Sequence, residues 1–474
     1  MEEVLKPDLC VIGAGSGGLS VAAAAAQFGV PVVLIEKGRM GGDCLNYGCV
    51  PSKALLAAAK RAEAVRTAST FGIDVIEAQI DHRGVHDHVH GVIAAIAPND
   101  SIERMTGLGV RVIQAQASFL DNVTLEAGRV LVRARRFVVA TGSMPSIPPI
   151  PGLDEVPYFT NETIFDVSER IQHLIVLGGG PVGLELAQAH RMLGCHVSVF
   201  DVESFLAHED PEAAAVLIKR LADTQVMLHP DTRVERIERT TQGISVHFTE
   251  NNEPTVLKGS HLLVATGRKP NVKSLSLERA GIAYDDHGIK VNHHLKTTNR
   301  RVYAVGDVIG GPGFTHLANY QAGIVIRNAL FRLNPDASAG LIPRAVYTDP
   351  ELAQIGLTEA EARKRHRRIR IYRAPYTDND RAQCERATDG FIKVITRPDG
   401  TILGCTIVGA EAGELLQLWV VAMAKGMRIG DFIHLVLPYP TFSELSKRVA
   451  YTYYLPTLTK GWLRSIIGFL RRLG

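Results

Sequence analysis

Cys44 and Cys49 lie five positions apart in the run Gly41-Gly42-Asp43-Cys44-Leu45-Asn46-Tyr47-Gly48-Cys49-Val50-Pro51-Ser52-Lys53. Two thiols so placed can pair as a redox disulfide, or each can pack as a small apolar side chain. On a regular helix, Cα atoms five residues apart stand about 8.7 Å from each other. A disulfide needs them within roughly 7 Å. Pairing therefore requires a break in the helix between the thiols, and Gly48 is the residue best suited to it. Pro51 and Ser52 open an alanine-rich helix expected over Lys53 to Arg66. Cys49 then stands just before a helix N-terminus, where the dipole favours a thiolate.

The elements before this run form a nucleotide cradle. Leu9-Cys10-Val11-Ile12 is a strand that enters Gly13-Ala14-Gly15-Ser16-Gly17-Gly18, followed by a helix from Leu19 to Phe28 and a strand that ends at Glu36. Glycines at 13, 15 and 18 let backbone approach a pyrophosphate, and the helix N-terminus supplies N–H donors. Glu36 lies 18 residues past Gly18, where a ribose-binding acid is expected. The pattern recurs: a strand from Leu174 feeds Gly178-Gly179-Gly180-Pro181-Val182-Gly183, and the next strand ends at Asp201. Two dinucleotide sites follow from this. Residues 202 to 207 contain no Arg or Lys, so Asp201 would repel a 2′-phosphate and accept bonds from a free 2′-hydroxyl, favouring NADH over NADPH. An aspartate that merely ends a strand is the plainer alternative.

Between the repeats, Ala140-Thr141-Gly142 leads to Pro145, Pro148, Pro149 and Pro151, and a second Ala265-Thr266-Gly267 leads to Arg268-Lys269-Pro270-Asn271. Such proline-rich exits mark crossings between domains. A strand ending in Gly306-Asp307 comes next, then His316 and a helix from Leu317 to Leu330. Four histidines, His82, His86, His88 and His90, lack a cysteine or carboxylate cluster at ligand spacing, so they read as a solvated helix face and no metal is assigned.

At 474 residues, with 46% apolar and 21% charged side chains and 44 glycines, the composition is that of a multidomain α/β enzyme. A net charge of +3 argues against nucleic acid, and the basic run Arg363 to Arg368 reads as a solvated helix end. Four scattered cysteines make no secreted framework. No signal peptide or transmembrane stretch is evident, so the expectation is a cytoplasmic protein.

Together these motifs resemble the flavin-dependent pyridine nucleotide–disulfide oxidoreductases, whose members include mercuric reductase and dihydrolipoyl dehydrogenase. The resemblance runs from residue 8 to about 455 and includes Ile342-Pro343, Tyr347-Thr348 and Pro350-Glu351. It implies FAD in the first dinucleotide unit and NAD(H) in the second, NADP(H) being disfavoured. The domains implied are 1–145 for FAD, 146–271 for NAD(P), a return of 272–339 to the FAD domain, a homodimer interface over 340–455, and a tail from 456 to 474. Beyond Gly13, Gly15, Gly18 and Glu36, the resemblance implies FAD contacts at Lys37, Gly42, Lys53, Ala117, Gly142 and Asp307. Nucleotide contacts are implied at Gly178, Gly180, Gly183, Asp201 and Gly267. Electrons would pass from NADH through flavin to a Cys44–Cys49 disulfide, with Cys49 against the flavin and Cys44 facing the acceptor. Lys53 and Glu185 match an ion pair beside the flavin.

In the disulfide reductases the residue five before the C-terminal Glu, here Glu444, is a catalytic histidine. This chain has Tyr439 there. A phenol of pKa near 10 is a poor base at neutral pH but a good hydrogen-bond donor. Leu437-Pro438-Tyr439-Pro440-Thr441, Pro98-Asn99-Asp100-Ser101 and Asp380-Arg381-Ala382 look most like mercuric reductase. The N-terminal metal carrier and C-terminal Cys-Cys pair of that enzyme have no counterpart in this sequence. The expectation is a mercuric-reductase-like enzyme acting on a disulfide or thiol-bound metal. Dihydrolipoyl dehydrogenase and a membrane-recruited redox sensor are the alternatives. In the tail, Trp462, Leu463, Ile466, Ile467, Phe469, Leu470 and Leu473 share one helical face, with Lys460, Arg464, Arg471 and Arg472 opposite. Apolar stripes usually serve a core, so docking on the protein's own dimer is expected ahead of contact with the inner face of a membrane.

Overall fold

Apolar runs four or five residues long, each closed by a glycine turn, build strands that are buried on both faces. In the computed structural model, which describes residues 3–76, 79–241, 243–458 and 460–473, five strands form a parallel sheet, buried except along its Arg111–Gln114 edge. Its order is Val302–Ala304, Arg136–Val139, Leu9–Ile12, Val32–Glu36 and Arg111–Gln114. The strand nearest Asp307 thus returns to the first sheet after more than 150 intervening residues. Helices Ser16–Gln27 and Thr315–Ala329 cover one face and share a core with Val11, Leu34 and Val138. The other face rests on a four-stranded sheet that includes Ala117–Phe119, where the Phe119 and Phe137 rings meet edge-on at 5.4 Å.

The second repeat gives a parallel set of His196–Phe200, His173–Leu177 and His261–Val264. A three-stranded antiparallel sheet, Val234–Thr240, Gly243–Glu250 and Glu253–Gly259, shares its core, with the Phe200 and Phe248 rings 4.9 Å apart. The two proline-rich exits pair with each other. Ser143–Pro145 and Arg268–Pro270 form an antiparallel ribbon, and Thr141 and Asn271 exchange two hydrogen bonds of 2.9 Å beside it.

The chain divides into two compact units, the first comprising Met1–Gly178, Met192–Val202 and Thr232–Gly340. The second comprises Gly179–Arg191, Glu203–Asp231 and Leu341–Gly474. Its centre is a five-stranded antiparallel sheet running Arg344–Val346, Glu351–Gly356, Ile402–Gly409, Phe391–Thr396, Arg370–Pro375. Trp419 is fully buried there; it stacks on Phe432 at 4.2 Å and donates to Ser446 Oγ at 3.0 Å. Buried Lys393 meets the equally buried Asp210 carboxylate at 2.5 Å, a pair whose loss of either partner would strand a charge in the core.

Boundaries move in several places, the helix expected from Leu19 to Phe28 running over Ser16–Gln27. The helix expected from Lys53 begins at Cys49, and the one expected from Leu317 begins at Thr315. The helix Glu444–Leu458 of the second unit runs past the expected end of the interface at 455. The four-residue error at Cys49 has a simple cause. Pro51 lies in the first turn, where no N–H is needed, rather than at its first position, and the Gly48 carbonyl already accepts from Ser52 N–H at 3.1 Å.

Candidate active site

The helix Gly42–Asn46 stops at Tyr47, and Gly48 takes φ −124° and ψ −111° before the helix Cys49–Arg66 starts. The break therefore falls where the spacing of the two thiols demands it. A Cβ on Gly48 would lie 2.9 Å from Asp43 Oδ2 and 3.1 Å from its carbonyl oxygen, so a side chain there would push the two helices apart. Both cysteines are free thiols; Cys44 is half-buried and Cys49 exposed.

The two thiols act on each other, and their acidities diverge. The bond from Cys44 is the largest influence lowering Cys49, from 9.0 to about 6, against the opposing effect of burial. Thr315, with its hydroxyl 3.4 Å from Cys49 Sγ, and the charge of Lys53 add to the lowering. Cys49 is also the first residue of an 18-residue helix, whose dipole favours an anion there. The same bond, then burial, then the charge of Cys49 push Cys44 upward. Cys49 is thus the more acidic of the two thiols and Cys44 the less.

The glycine loop fits a diphosphate and the residues around it fit FAD. Gly13 has φ +104°, and a Cβ there would lie 2.4 Å from the Ala140 carbonyl oxygen. Gly42 faces Gly15 so closely that its Cβ would sit 2.7 Å from Gly15 Cα. Gly15 caps the helix Ser16–Gln27 without a side-chain bond and with no acid in the first turn, leaving N–H donors for an anion. Glu36 accepts from Ala14 N–H at 2.6 Å and from Gly38 N–H at 2.7 Å, which fixes its carboxylate beside the loop. Lys37 is exposed next to it. Ala117 is 3% exposed within the core and can offer a ligand only its backbone. Gly142 has φ +66° and its carbonyl accepts from Asn271 N–H at 3.0 Å.

In the second repeat, Gly178 has φ +113°, and a Cβ there would strike the Ala265 carbonyl oxygen at 2.3 Å. Gly180 has open space in the direction of a Cβ, and Gly183 lies inside the helix Pro181–Met192. Asp201 follows the strand His196–Phe200, and its carbonyl accepts from Thr232 N–H at 2.7 Å. Gly267 is exposed with φ +129°.

Lys53 Nζ donates to Ser52 Oγ at 3.3 Å in the first unit. In the second unit, Glu185 is 5% exposed and accepts from Tyr347 N–H at 3.0 Å. Tyr439 is 69% exposed and donates to Asp380 Oδ2 at 2.7 Å. That bond, with the aspartate's charge, pushes the phenol above its ordinary pKa. Glu444 opens the helix Glu444–Leu458, its N–H 3.4 Å from the Thr441 carbonyl.

A network absent from the sequence reading joins the cysteine helix to Asp307. Arg268, on the ribbon between the repeats, meets Asp43 Oδ1 at 3.1 Å and donates to Ser143 Oγ at 2.7 Å. It also donates to the Ser143 carbonyl at 3.1 Å and lies 3.9 Å from Asp307 Oδ2. Ser143 Oγ in turn donates to Asp307 at 2.6 Å. Asn161 donates to Asp43 and to the Tyr47 carbonyl, each at 3.1 Å. The only hint in the sequence was that Arg268 follows the second Ala-Thr-Gly, just as Ser143 follows the first.

Comparison with known proteins agrees with this architecture. The family profile described as pyridine nucleotide-disulphide oxidoreductase matches residues 7–322, and that family's dimerisation domain matches residues 342–450. A mercuric reductase of Streptomyces lividans is 32% identical over 94% of this chain and 96% of its own length. A dihydrolipoyl dehydrogenase of Bacillus subtilis (strain 168) is 30% identical over 94% of this chain and 96% of its own. Among solved structures, a Cu(II) complex of the HOCl-induced flavoprotein disulfide reductase RclA from Escherichia coli superposes with a TM-score of 0.85. It is 26% identical and covers 95% of this chain and all of its own.

Proposed function

The chain belongs to the pyridine nucleotide–disulphide oxidoreductases, and from that premise we propose that it carries electrons from NADH through Cys44 and Cys49 to a disulfide or thiol-bound metal. It is a flavoprotein oxidoreductase of a family that uses FAD and NAD(P)H, and it carries that family's dimerisation domain, as a homodimer does. No helix among the described residues is long and apolar enough to cross a membrane. We place the enzyme in the cytoplasm, with residues 1–145 and 272–339 holding FAD, residues 146–271 holding NADH, and residues 340–455 pairing the subunits.

FAD, when bound, supplies the two-electron exchange between a nicotinamide and a disulfide. The protein's own residues do the rest. Gly13, Gly15, Gly18 and Gly42 admit the diphosphate, Glu36 takes the ribose, and the Arg268 network holds Asp307 and the cysteine helix together. Cys49, stabilised as the anion by Cys44, Thr315 and Lys53, retains the charge of the reduced pair. Cys44 gives up its proton to Cys49 and attacks one sulfur of the acceptor disulfide, releasing a thiolate. That thiolate takes the proton from Cys49, and Cys49 then attacks Cys44 to re-form the intramolecular disulfide and release the second thiolate, which takes its proton from solvent.

The observation that carries this reading is the geometry of the two free thiols: they flank the break between two helices, with Cys49 the first residue of the second helix and 3.4 Å from the Thr315 hydroxyl. Tyr439 supports a thiol-bound metal over lipoamide, since its proton is held by Asp380 and it offers no base. The test is NADH oxidation under anaerobic conditions with oxidised lipoamide, glutathione disulfide and a Hg(II)–thiolate complex offered separately. Turnover with the metal complex above both disulfides is expected. Turnover with none of the three would overturn the reading.

A further inference from the structure

The end of the chain lies beyond residue 450, where the dimerisation-domain match stops. There a second helix, Gly461–Leu470, follows Glu444–Leu458. At 100° per residue, Trp462, Leu463, Ile466, Ile467, Phe469 and Leu470 fall within about 160° of arc, with Lys460, Arg464 and Arg471 on the other side. A stripe this wide ordinarily faces a core. Here Trp462, Ile466, Ile467, Phe469 and Leu470 remain 46–63% exposed. Charge is equally one-sided. From residue 445 to 474 the sequence has six Lys and Arg and no acid, although the whole chain is only +3.

A second basic surface lies against the helix that precedes the tail. Residues 363–370 read Arg-Lys-Arg-His-Arg-Arg-Ile-Arg. Arg363, His366, Arg367, Arg368 and Arg370, with Pro398, line an open basin of about 480 Å³. The strand that begins at Arg370 packs beneath the helix Glu444–Leu458, with the Tyr372 and Tyr453 rings 5.7 Å apart. On the far side of Pro398, a Cβ on Gly400 would lie 3.2 Å from the Tyr453 hydroxyl. The basin thus adjoins the helix that leads into the tail.

We infer that the tail helix and the Arg363–Arg370 run together form a docking face for an anionic phospholipid bilayer. The apolar stripe lies in the interface with Trp462 at headgroup depth, and the arginines meet lipid phosphates. An apolar helix face alone binds membranes marginally, and the polybasic surface supplies the second signal that stable attachment needs. This goes beyond the reaction.

The test is co-sedimentation of the holoenzyme with phosphatidylcholine vesicles, with and without phosphatidylglycerol, at low and high salt. Binding to the anionic vesicles only, lost at high salt, is expected. Arg471→Gln with Arg472→Gln, and separately Arg367→Gln with Arg368→Gln, should weaken it about fivefold per arginine removed. Ile466→Glu with Phe469→Glu should abolish it while NADH oxidation and the dimer's sedimentation coefficient stay unchanged. The inference is overturned if the holoenzyme stays in the supernatant with anionic vesicles. It is equally overturned if binding ignores salt and all the substitutions, or if Ile466→Glu with Phe469→Glu breaks the dimer and so assigns the face to a second copy of the chain.

Discussion

Replacing Thr315 with Val removes the hydroxyl that lies 3.4 Å from Cys49 Sγ while keeping the β-branched shape that starts its helix. A hydrogen bond to an ionised group is worth roughly 1.5–3 kcal/mol. Cys49 is exposed, and solvent screening brings the expected loss to about 1.4 kcal/mol, or one pH unit. The Cys49 pKa of about 6 should then rise to about 7. At pH 6.5 the thiolate fraction should fall from about three-quarters to about one-quarter by simple titration. The assay is the pH dependence of iodoacetamide alkylation of the reduced enzyme, quantified at Cys49 by peptide mass spectrometry. An alkylation midpoint unmoved by the substitution would refute the role given to Thr315. In the reduced protein, a thiol lowered on folding adds stability above its unfolded pKa of 9.0 and loses it as pH falls through about 6. The raised Cys44 acts in the opposite sense and keeps its proton across that window. Reduced wild-type protein should accordingly become easier to denature with urea as pH is lowered from 9 toward 6, and a stability that rose over that range would contradict the assignment of charge.

Arg268→Met leaves Asp43 and Asp307 without their shared cation; after allowance for partial exposure, about 1.4 kcal/mol of lost support should raise the FAD dissociation constant about tenfold. Flavin fluorescence during dilution reads that constant, and Arg268→Lys should not restore it, since a single ammonium cannot span both carboxylates and Ser143. With Asp201 after its strand and no basic residue from 202 to 207, kcat/KM for NADH should exceed that for NADPH about tenfold or more; parity in steady-state kinetics would contradict it. Tyr439→His should raise turnover of lipoamide or glutathione disulfide by placing a group of pKa near 6.5 where the phenol stands. Family-typical lipoamide turnover by the wild type would show that Tyr439 has been misassigned.

Local rules carried the sequence reading where chemistry dictates backbone. Gly13 and Gly42 hold conformations or approaches that a Cβ forbids, so glycine spacing exposed the cradle. Gly48 was legible as the break for the same reason. The start of the helix at Cys49 was not, because Gly48 caps it without any side chain to announce it. Thr315 and Arg268 were missed because they reach Cys49 and Asp43 across more than 200 residues of chain, through sheet pairing that no short pattern encodes. The bond between Tyr439 and Asp380 was hidden too, since 59 residues separate two motifs that share only a family likeness. The tail's stripe was legible and its exposure was not, since periodicity reports a face but not what covers it.

The measurement that bears most directly on Cys44 and Cys49 as the electron path is anaerobic titration of the purified holoenzyme with NADH, read by flavin absorbance and thiol count. The wild type should take up about four electrons per subunit, two in the flavin and two in the disulfide, because each is a two-electron couple. Cys44→Ala should take up about two, keep its reduction by NADH, and fail to pass electrons to the acceptor. A wild type that takes up only two, or a Cys44→Ala variant with full acceptor activity, would contradict it.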